Sequence, residues 1–413
     1  MRIEVKYGDG REVADLPDAN IGEIVHPKEL PPVDEGRLLE DAIVNPIGSD
    51  NLDNFLKGAK NVLVIVNDAT RPTPTDRILK GINAHLGNSD VSYLIATGMH
   101  RAPTEEEYRF IFGEMYDQIK EKVVAHDSKH SEMIFIGTSK NGTELRLNRK
   151  VMDADRILVI SSVEPHYFAG YTGGRKSFLP GVAAYETIEQ NHKLALKLEA
   201  QSLRLKGNPV HEDMEEVVHA LRDKRIFTIM VVLDKDHRIC HASAGDLKRA
   251  FRGAVKKADE VFVVKLKEKA DVVVAVTAFP YDIDLYQSQK ALDNAKYAVR
   301  DGGVIILVSA CRTGVGPETF LNLLGSANTP KDVLDKISHT YKLGYHKAGK
   351  MAEIGLKCRM MAVTKLDPAI ARKAHMEPMP TLQQAIDTAI SELGPSSKVT
   401  FIMDAVITVP QVQ

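Results

Sequence analysis

Asn61-Val62-Leu63-Val64-Ile65-Val66 is an unbroken run of aliphatic residues, and this run decides the fold class. Strands that are buried on both faces of a parallel sheet have this composition, whereas strands with one wet face alternate apolar and polar residues. Helical composition is found over residues 193–205 and 210–219. Similar strand-like runs lie at residues 91–96, 156–162, 225–233 and 259–264. The alternation of strands and helices predicts an α/β fold with mainly parallel sheets.

The length of the chain predicts two domains. A chain of 413 residues exceeds the size at which one hydrophobic core usually stops growing. A charged connection, Lys265 to Lys269, precedes a second buried run over residues 271–276, so we place the boundary near residue 268. This predicts an N-terminal α/β domain over residues 1–268 and a C-terminal α/β domain over residues 269–413. The last predicted strand, residues 405–409, is a candidate to return to the first domain.

Composition and charge favour a small-molecule partner. Hydrophobic residues make up 44% and charged residues 27% of the chain, as in ordinary soluble globular proteins. A formal net charge of −2 gives no electrostatic reason to expect nucleic acid or an anionic membrane as partner. No signal-peptide or membrane-spanning run is seen at the N-terminus, so we expect a cytoplasmic protein. Cys240, Cys311 and Cys358 lie far apart, which argues against a disulfide framework or a thiolate metal site.

The first strand ends in a polar loop, Asn67-Asp68-Ala69-Thr70-Arg71. Ligands of open α/β sheets bind at the carboxyl ends of strands, so this loop is well placed for a site. Arg71 is suited to clamp a carboxylate or phosphate, and Asp68 is suited to accept from a ribose or to orient a neighbour. Asp68 and Thr70 are equally suited to capping a turn or a helix.

Two further strands deliver side chains to the same sheet edge. The second strand ends near His100, and Thr104 with Glu107 forms a capping box that opens a helix. The third strand leads into the glycine-rich stretch Glu164 to Lys176, which contains His166. Three strand ends that converge predict a shared cleft.

The glycine-rich loop fits no common phosphate motif. Thr172-Gly173-Gly174-Arg175-Lys176 is neither GxGxxG nor GxxxxGK[ST], and no HExxH accompanies the histidines. His211 and Asp213 are of residue types that help to bind a metal, but the favoured interpretation is that they are solvated polar residues of a helix. In the second domain Gln287 and Lys290 are three residues apart and share a helix face. The residues alone therefore predict an inter-domain site with two or three histidines, a lysine in a glycine loop, and cations for an anionic substrate.

Six short motifs occur together along nearly the whole chain. They are Asp68-Ala69-Thr70-Arg71-Pro72, Gly98-Met99-His100-Arg101, His166-Tyr167-Phe168-Ala169-Gly170, Gly173-Gly174-Arg175-Lys176, Asn191-His192 and Gln287-Ser288-Gln289-Lys290. In this combination the chain resembles the nickel-dependent lactate racemases and their 2-hydroxy-acid racemase and epimerase relatives. The resemblance implies two α/β domains with the active site in the cleft between them.

The resemblance also implies a cofactor and its binding residues. The cofactor is a nickel-pincer nucleotide, pyridinium-3,5-bisthiocarboxylic acid mononucleotide, attached covalently at Lys176, with His192 as a nickel ligand. A histidine nitrogen suits nickel in a square-planar arrangement. The segment Asp68-Ala69-Thr70-Arg71 is expected to hold the nucleotide, and Arg71 with Gln287 and Lys290 is expected to bind substrate. Cofactor-biosynthesis proteins are the implied partners.

His100 and His166 are the implied acid/base pair. Racemising a 2-hydroxy acid through a planar 2-keto acid requires hydride to leave one face of C2 and return to the other. The hydroxyl proton must then be handled in both orientations, which imidazole suits because its ordinary pKa lies near neutrality.

Lactate is the default substrate, but the pattern leaves others open. Malate, an aryl or longer-chain hydroxy acid, and a sugar acid epimerised at C2 fit the same mechanism, and the chain lacks the tryptophan that some lactate racemases place near the acid. Two different classes also match part of the pattern. These are a zinc hydrolase that uses His100, His166 and His192, and a non-catalytic nucleotide-binding protein.

Overall fold

The computed structural model describes residues 1–87 and 90–413, which divide into two compact units. The central unit is Glu29–Val261, and the terminal unit combines Met1–Lys28 with Phe262–Gln413. The strands are β1 Arg2–Tyr7, β2 Gly10–Asp15, β3 Ile21–Val25, β4 Asn61–Asn67, β5 Asp90–Ala96, β6 Val123–Ala125, β7 Met133–Thr138, β8 Glu144–Asn148, β9 Arg156–Ser162, β10 Pro165–His166, β11 Gly170–Tyr171, β12 Arg225–Leu233, β13 Ile239–Gly245, β14 Val263–Leu266, β15 Ala270–Val276, β16 Val299–Val308, β17 Arg359–Val363, β18 Glu377–Met379, β19 Val399–Ile402 and β20 Val409–Val412.

The helices cover the sheets of both units. They are α1 Glu35–Val44, α2 Leu52–Leu56, α3 Thr75–Leu86, α4 Glu105–Phe112, α5 Tyr116–Ile119, α6 Arg149–Asp153, α7 Tyr185–Lys193, α8 Pro209–Ala220, α9 Leu247–Phe262, α10 Leu285–Ala295, α11 Glu318–Gly325, α12 Pro330–His339, α13 Tyr345–Gly355, α14 Pro368–Lys373 and α15 Leu382–Leu393. Across the described parts of the chain, none of these helices has both the length and the apolar character needed to cross a membrane.

The central unit is built on a six-stranded sheet in the order β13-β12-β9-β4-β5-β6. All neighbours are parallel except β12 and β13. Residues 62–66 of β4 are each at most 1% exposed, which confirms the prediction of a strand buried on both faces. The chain proceeds from β4 to β5 on one side and later adds β9 on the other. The carboxyl ends of β4 and β9 therefore flank a topological switch point, where open α/β sheets bind ligands.

The terminal unit is built on a second six-stranded sheet, in the order β18-β17-β16-β15-β19-β3, and all its pairs are parallel. Its outer strand β3 comes from the start of the chain. The sequence places residues 1–28 with the N-terminal domain, whereas in the structure they join residues 262–413 because β3 pairs with β19. The final strand β20 pairs with β14 within this unit.

Three local predictions were wrong. Residues 259–262 form the end of helix α9 rather than a strand, because buried Ala250, Phe251, Ala254, Ala258 and Val261 recur at helical spacing. Residues 197–205 are not helical. There the Leu203 N–H donates to the Gly170 carbonyl of another loop instead of to its own helix. The last strand begins at residue 409 rather than at residue 405.

Removal of the buried Leu63 side chain should destabilise the central unit. Leu63 is 1% exposed and Leu198 of the same unit is 69% exposed. We expect Leu63→Ala to lower the free energy of unfolding by about 2–5 kcal/mol, because it leaves a cavity. The matched Leu198→Ala change should stay within about 0.5 kcal/mol of the parent. Urea denaturation followed by circular dichroism measures both, and equal effects of the two changes would contradict the burial of β4.

Candidate active site

The loop after β4 is shaped by Asp68. Its Oδ1 accepts hydrogen bonds from the Thr70 hydroxyl at 2.7 Å and from the Thr70 N–H at 3.2 Å. Asp68 and Thr70 therefore form a capped turn, as one of the two interpretations predicted. This turn uses only one oxygen of the Asp68 carboxylate. Arg71 lies at the end of the turn, 3.6 Å from the carboxylate of Glu164 in the loop after β9. The loops that follow β4 and β9 thus meet at the switch point.

The second carboxylate oxygen of Asp68 binds His100. His100 Nδ1 lies 2.5 Å from Asp68 Oδ2, and the Asp68 side chain is 8% exposed whereas that of His100 is 53% exposed. Burial pushes the pKa of Asp68 upward, but the hydrogen bonds from His100 and Thr70 outweigh it and hold this pKa below its ordinary value. A carboxylate at Nδ1 keeps the proton on that nitrogen, which leaves Nε2 of the neutral ring as the acceptor.

His166 has the opposite hydrogen-bond pattern. It lies in the small hairpin of β10 and β11, opposite Gly170. Its Nδ1 accepts a hydrogen bond from the Ala169 N–H at 3.3 Å, so the neutral ring carries its proton on Nε2. His100 and His166 are therefore set up differently, one with an acceptor and the other with a donor at Nε2.

One aromatic ring is a common neighbour of His166, Lys176 and His192. Phe168 is 2% exposed, and its ring centroid lies 4.5 Å from that of His166 and 5.1 Å from that of His192. The Lys176 ammonium lies 5.6 Å from the same centroid. Three side chains that the sequence separates by up to 26 positions thus surround one buried ring.

His192 is buried and neutral. Burial first, and then the positive charge of Lys176, lower the pKa of His192 to about 3. The imidazole therefore carries no charge at neutral pH. A deprotonated ring nitrogen is the form of histidine that binds metal ions.

The glycine turn before Lys176 brings the backbone against the sheet. Gly173 has φ of +82°, and a Cβ there would lie 2.6 Å from Val163 Cγ2 and 2.8 Å from the Ser162 carbonyl oxygen. A side chain at this position would therefore collide with the end of β9 and the residue that follows it. Any other residue at position 173 would push the lysine loop away from the sheet.

Arg175 is a buried cation that the sequence analysis did not single out. Its guanidinium is wholly buried and donates from Nε to His211 Nδ1 at 2.9 Å. Its two Nη atoms donate to the carbonyls of residues 169, 171, 172 and 173 at 3.0–3.2 Å. The ring of Phe251 lies 4.1 Å from the guanidinium carbon. The side chain next to Lys176 therefore fixes the path of the loop.

The interpretation of His211 and Asp213 as solvated residues was wrong. His211 is 9% exposed and Asp213 is 0% exposed. Asp213 accepts hydrogen bonds from the Asn141 side chain at 2.8 Å and from the Asn191 side chain at 3.4 Å. The sequence around Asp213 does not indicate its burial, because Asn141 and Asn191 lie 72 and 22 positions away from it.

Gln287 and Lys290 belong to the terminal unit, on helix α10 as predicted. Asp284 caps that helix and accepts from the Gln287 N–H at 2.7 Å. The Lys290 ammonium lies 5.1 Å from the ring centroid of Tyr281. Both side chains are partly exposed at the first turns of the helix.

The described residues, 1–87 and 90–413, include no cluster of three histidine, cysteine or carboxylate side chains suited to a metal ion. A zinc hydrolase of the kind considered above needs His100, His166 and His192 as close ligands of one ion. No such grouping of these three histidines is found among the described residues. A site in which the protein supplies a single histidine ligand does not require such a cluster.

Two family models match the chain over successive ranges. The lactate racemase N-terminal domain matches residues 7–203, and the lactate racemase C-terminal domain matches residues 264–409. Two curated proteins named lactate racemase are 33% identical to the chain. The protein from Thermoanaerobacterium thermosaccharolyticum matches over 98% of each chain, and the protein from Lactiplantibacillus plantarum over 90% of this chain and 89% of its own.

Solved structures agree with these matches. The lactate racemase apoprotein from Thermoanaerobacterium thermosaccharolyticum superposes with a TM-score of 0.92 at 32% identity and covers 100% of both chains. A protein from Thermotoga maritima gives a TM-score of 0.69 at 17% identity over 92% of this chain and 99% of its own, which is a likeness of fold alone.

The buried His211 should make stability depend on pH. Burial first, and then the charges of Arg175 and Lys248, lower the pKa of His211 to about 3. The unfolded chain binds a proton near pH 6.5, so the stabilising effect is complete above that pH and is lost as the pH falls toward 3. We expect His211→Asn, which cannot titrate, to reduce the loss of unfolding free energy between pH 7 and pH 4 by roughly 2–3 kcal/mol. Urea titrations at each pH measure this, and parallel curves for parent and variant would contradict it.

Proposed function

Because the chain belongs to the lactate racemase family, we propose that this isomerase inverts C2 of a 2-hydroxy acid, with lactate as the first substrate to test. The observation that carries the proposal is the arrangement around Phe168. Its ring is a common neighbour of a candidate acid/base histidine, a candidate cofactor lysine and a candidate metal-binding histidine. These are the groups that such a reaction needs close together.

We propose that the central unit holds a nickel-pincer nucleotide covalently at Lys176, with His192 as the protein's nickel ligand. The donor chemistry fits, because His192 is buried and uncharged at neutral pH. The Lys176 ammonium and the His192 ring both lie close to the Phe168 ring, at 5.6 Å and 5.1 Å from its centroid. Asp68, Ala69, Thr70 and Arg71 form the turn at the switch point, where nucleotides bind in open α/β sheets. When bound, this cofactor supplies the acceptor and donor for the C2 hydride.

His100 and His166 are proposed to move the hydroxyl proton. His100 has the Asp68 carboxylate at Nδ1, so its Nε2 is the acceptor that removes a proton from the substrate hydroxyl. His166 accepts a backbone N–H at Nδ1 when it is neutral, and in its imidazolium form it is the group that gives a proton to the oxygen of the 2-keto acid. A turnover that starts with neutral His100 and protonated His166 ends with protonated His100 and neutral His166, so the two rings exchange roles, which suits a reaction that runs in both directions.

Substrate binding is proposed for Arg71, Gln287 and Lys290. The guanidinium and the ammonium are suited to a carboxylate, and the amide is suited to a hydroxyl or keto oxygen. Arg71 is held near Glu164 at 3.6 Å, so a bound carboxylate would compete with a partner already in place. Holding the carboxylate lets the planar keto acid present either face. Malate, aryl, longer-chain and sugar acids remain alternatives to lactate, and a screen of these acids for inversion at C2 distinguishes them.

The tether is tested by mass. Lys176→Ala should abolish the mass increment of cofactor-loaded protein and its nickel content, because the covalent attachment point is removed. Lys193→Ala, an exposed lysine of the same unit, should keep both. Loading requires the proteins that make the cofactor, so both variants are co-expressed with them. Intact-mass spectrometry and metal analysis give the result, and an increment retained in Lys176→Ala would contradict the assignment.

The proton handlers are tested by activity in cofactor-loaded protein. Substituting either His100 or His166 by alanine should lower kcat for racemisation at least about 10²-fold, because general acid/base catalysis is lost. Nickel content and the Lys176 increment should not change. Asp68→Asn should also lower kcat, since it weakens control of the His100 tautomer. His130→Ala, whose side chain is largely exposed, is the control. Loss of nickel in the His100 or His166 variant would refute the assignment.

A further inference from the structure

We propose that the start of helix α8 fixes the positions of Lys176 and His192 relative to each other, with His211 and Asp213 as positioning residues. We call this segment, residues 208–213, the brace. The inference rests on the proposed roles of Lys176 and His192. His211 binds Arg175, the residue before Lys176, and Asp213 binds Asn191, the residue before His192.

The brace begins at the helix cap, Asn208. Its Oδ1 accepts from the N–H groups of Val210 and His211, which is the usual N-cap arrangement. Its Nδ2 donates to the Phe168 carbonyl at 2.9 Å and to the Arg204 carbonyl at 3.0 Å. Asn208 is wholly buried. The cap of α8 therefore fixes the backbone of the residue whose ring adjoins both Lys176 and His192.

His211 holds the lysine loop through Arg175. The Arg175 guanidinium has five N–H donors. Four of its hydrogen bonds go to carbonyls of its own loop, and the fifth, from Nε, goes to His211 Nδ1. His211 is thus the only partner of this guanidinium among these five acceptors that lies outside the loop. It connects the loop to α8.

Asp213 holds the histidine helix through Asn191. Asn191 is wholly buried, and its Nδ2 donates to Asp213 Oδ2 at 3.4 Å and to the Val210 carbonyl at 3.1 Å. The other contacts of Asp213, from Asn141 and Thr143, come from the turn between β7 and β8. Position 191 is next to His192 on α7, so any shift of Asn191 moves the proposed nickel ligand.

Both contacts come from one rigid turn. Residues two apart on a helix point roughly 200° from each other. His211 and Asp213 can therefore bind opposite neighbours, the loop that carries Lys176 and the helix that carries His192. The spacing between tether and ligand is then set by the geometry of α8 instead of by two independent loops.

If the brace positions the two segments, a change at His211 and a change at Asp213 should each affect a different segment. A general loss of stability would affect both segments. His211→Ala should speed hydrogen exchange in peptides covering residues 169–176 of the cofactor-free chain by about tenfold, and should leave residues 187–193 unchanged. Asp213→Ala should speed exchange in residues 187–193 and leave residues 169–176 unchanged. His211→Asn keeps an acceptor near the Nδ1 position and should restore the slow exchange. His219→Ala, an exposed residue of the same helix, is the control. Asp213→Asn replaces Asp213→Ala if the latter does not fold.

Cofactor loading gives the second readout. In chains co-expressed with the cofactor-making proteins, His211→Ala should lower the fraction carrying the Lys176 mass increment about tenfold. Asp213→Ala should keep the increment but lose nickel to EDTA about ten times faster than the parent. His211→Asn should restore loading.

Two results overturn the brace. In the first, both variants accelerate exchange throughout the central unit in proportion to their loss of thermal stability. In the second, neither variant changes the exchange of its own segment. A parent chain that gains no mass on loading overturns the cofactor proposal instead, and the exchange experiment still decides whether α8 holds the two segments.

Discussion

The candidate site depends on one buried cation. Arg175 is removed from water, and a guanidinium in that position is very costly unless every donor finds an acceptor. Four acceptors are carbonyls of residues 169, 171, 172 and 173, so the loop must turn these groups inward. Loop carbonyls normally face water. Burial lowers the pKa of Arg175 to about 9, which still leaves it charged at neutral pH, and the loop therefore has one favoured path.

The histidines of the central unit differ in burial and in their neighbours, and these differences decide what each imidazole is suited to do. His100 is exposed at one edge and bound to a carboxylate at the other, which suits a group that exchanges protons with a substrate. His192 is buried beside a positive charge, which removes its proton and leaves a ligand nitrogen. His211 is buried as well, but its acceptor nitrogen is already used by Arg175. The same imidazole is thus proposed to transfer a proton at His100 and to bind a metal at His192, whereas at His211 it accepts a hydrogen bond from Arg175.

Much of the central unit could be predicted from sequence because its signals are local. The aliphatic run of β4, the Thr104 capping box and the strand-end positions of Asp68 and His100 each depend on neighbouring residues. The burial of His211 and Asp213 could not be predicted, since their partners at Arg175 and Asn141 lie 36 and 72 positions away. A helix also replaced the strand expected at residues 259–262, because packing of a long amphipathic face overrides the preference of a short apolar run.

The pairing of β3 with β19 has a consequence for how the chain folds as it is made. Asn20 donates to the Ser397 carbonyl across 377 positions, so this contact closes a loop that contains the whole central unit. Contacts at such separation form late, and domains complete in sequence fold as units during synthesis. The central unit has all its residues once position 261 leaves the ribosome. Residues 21–25 must stay exposed, with an unpaired strand edge, until residues 399–402 emerge.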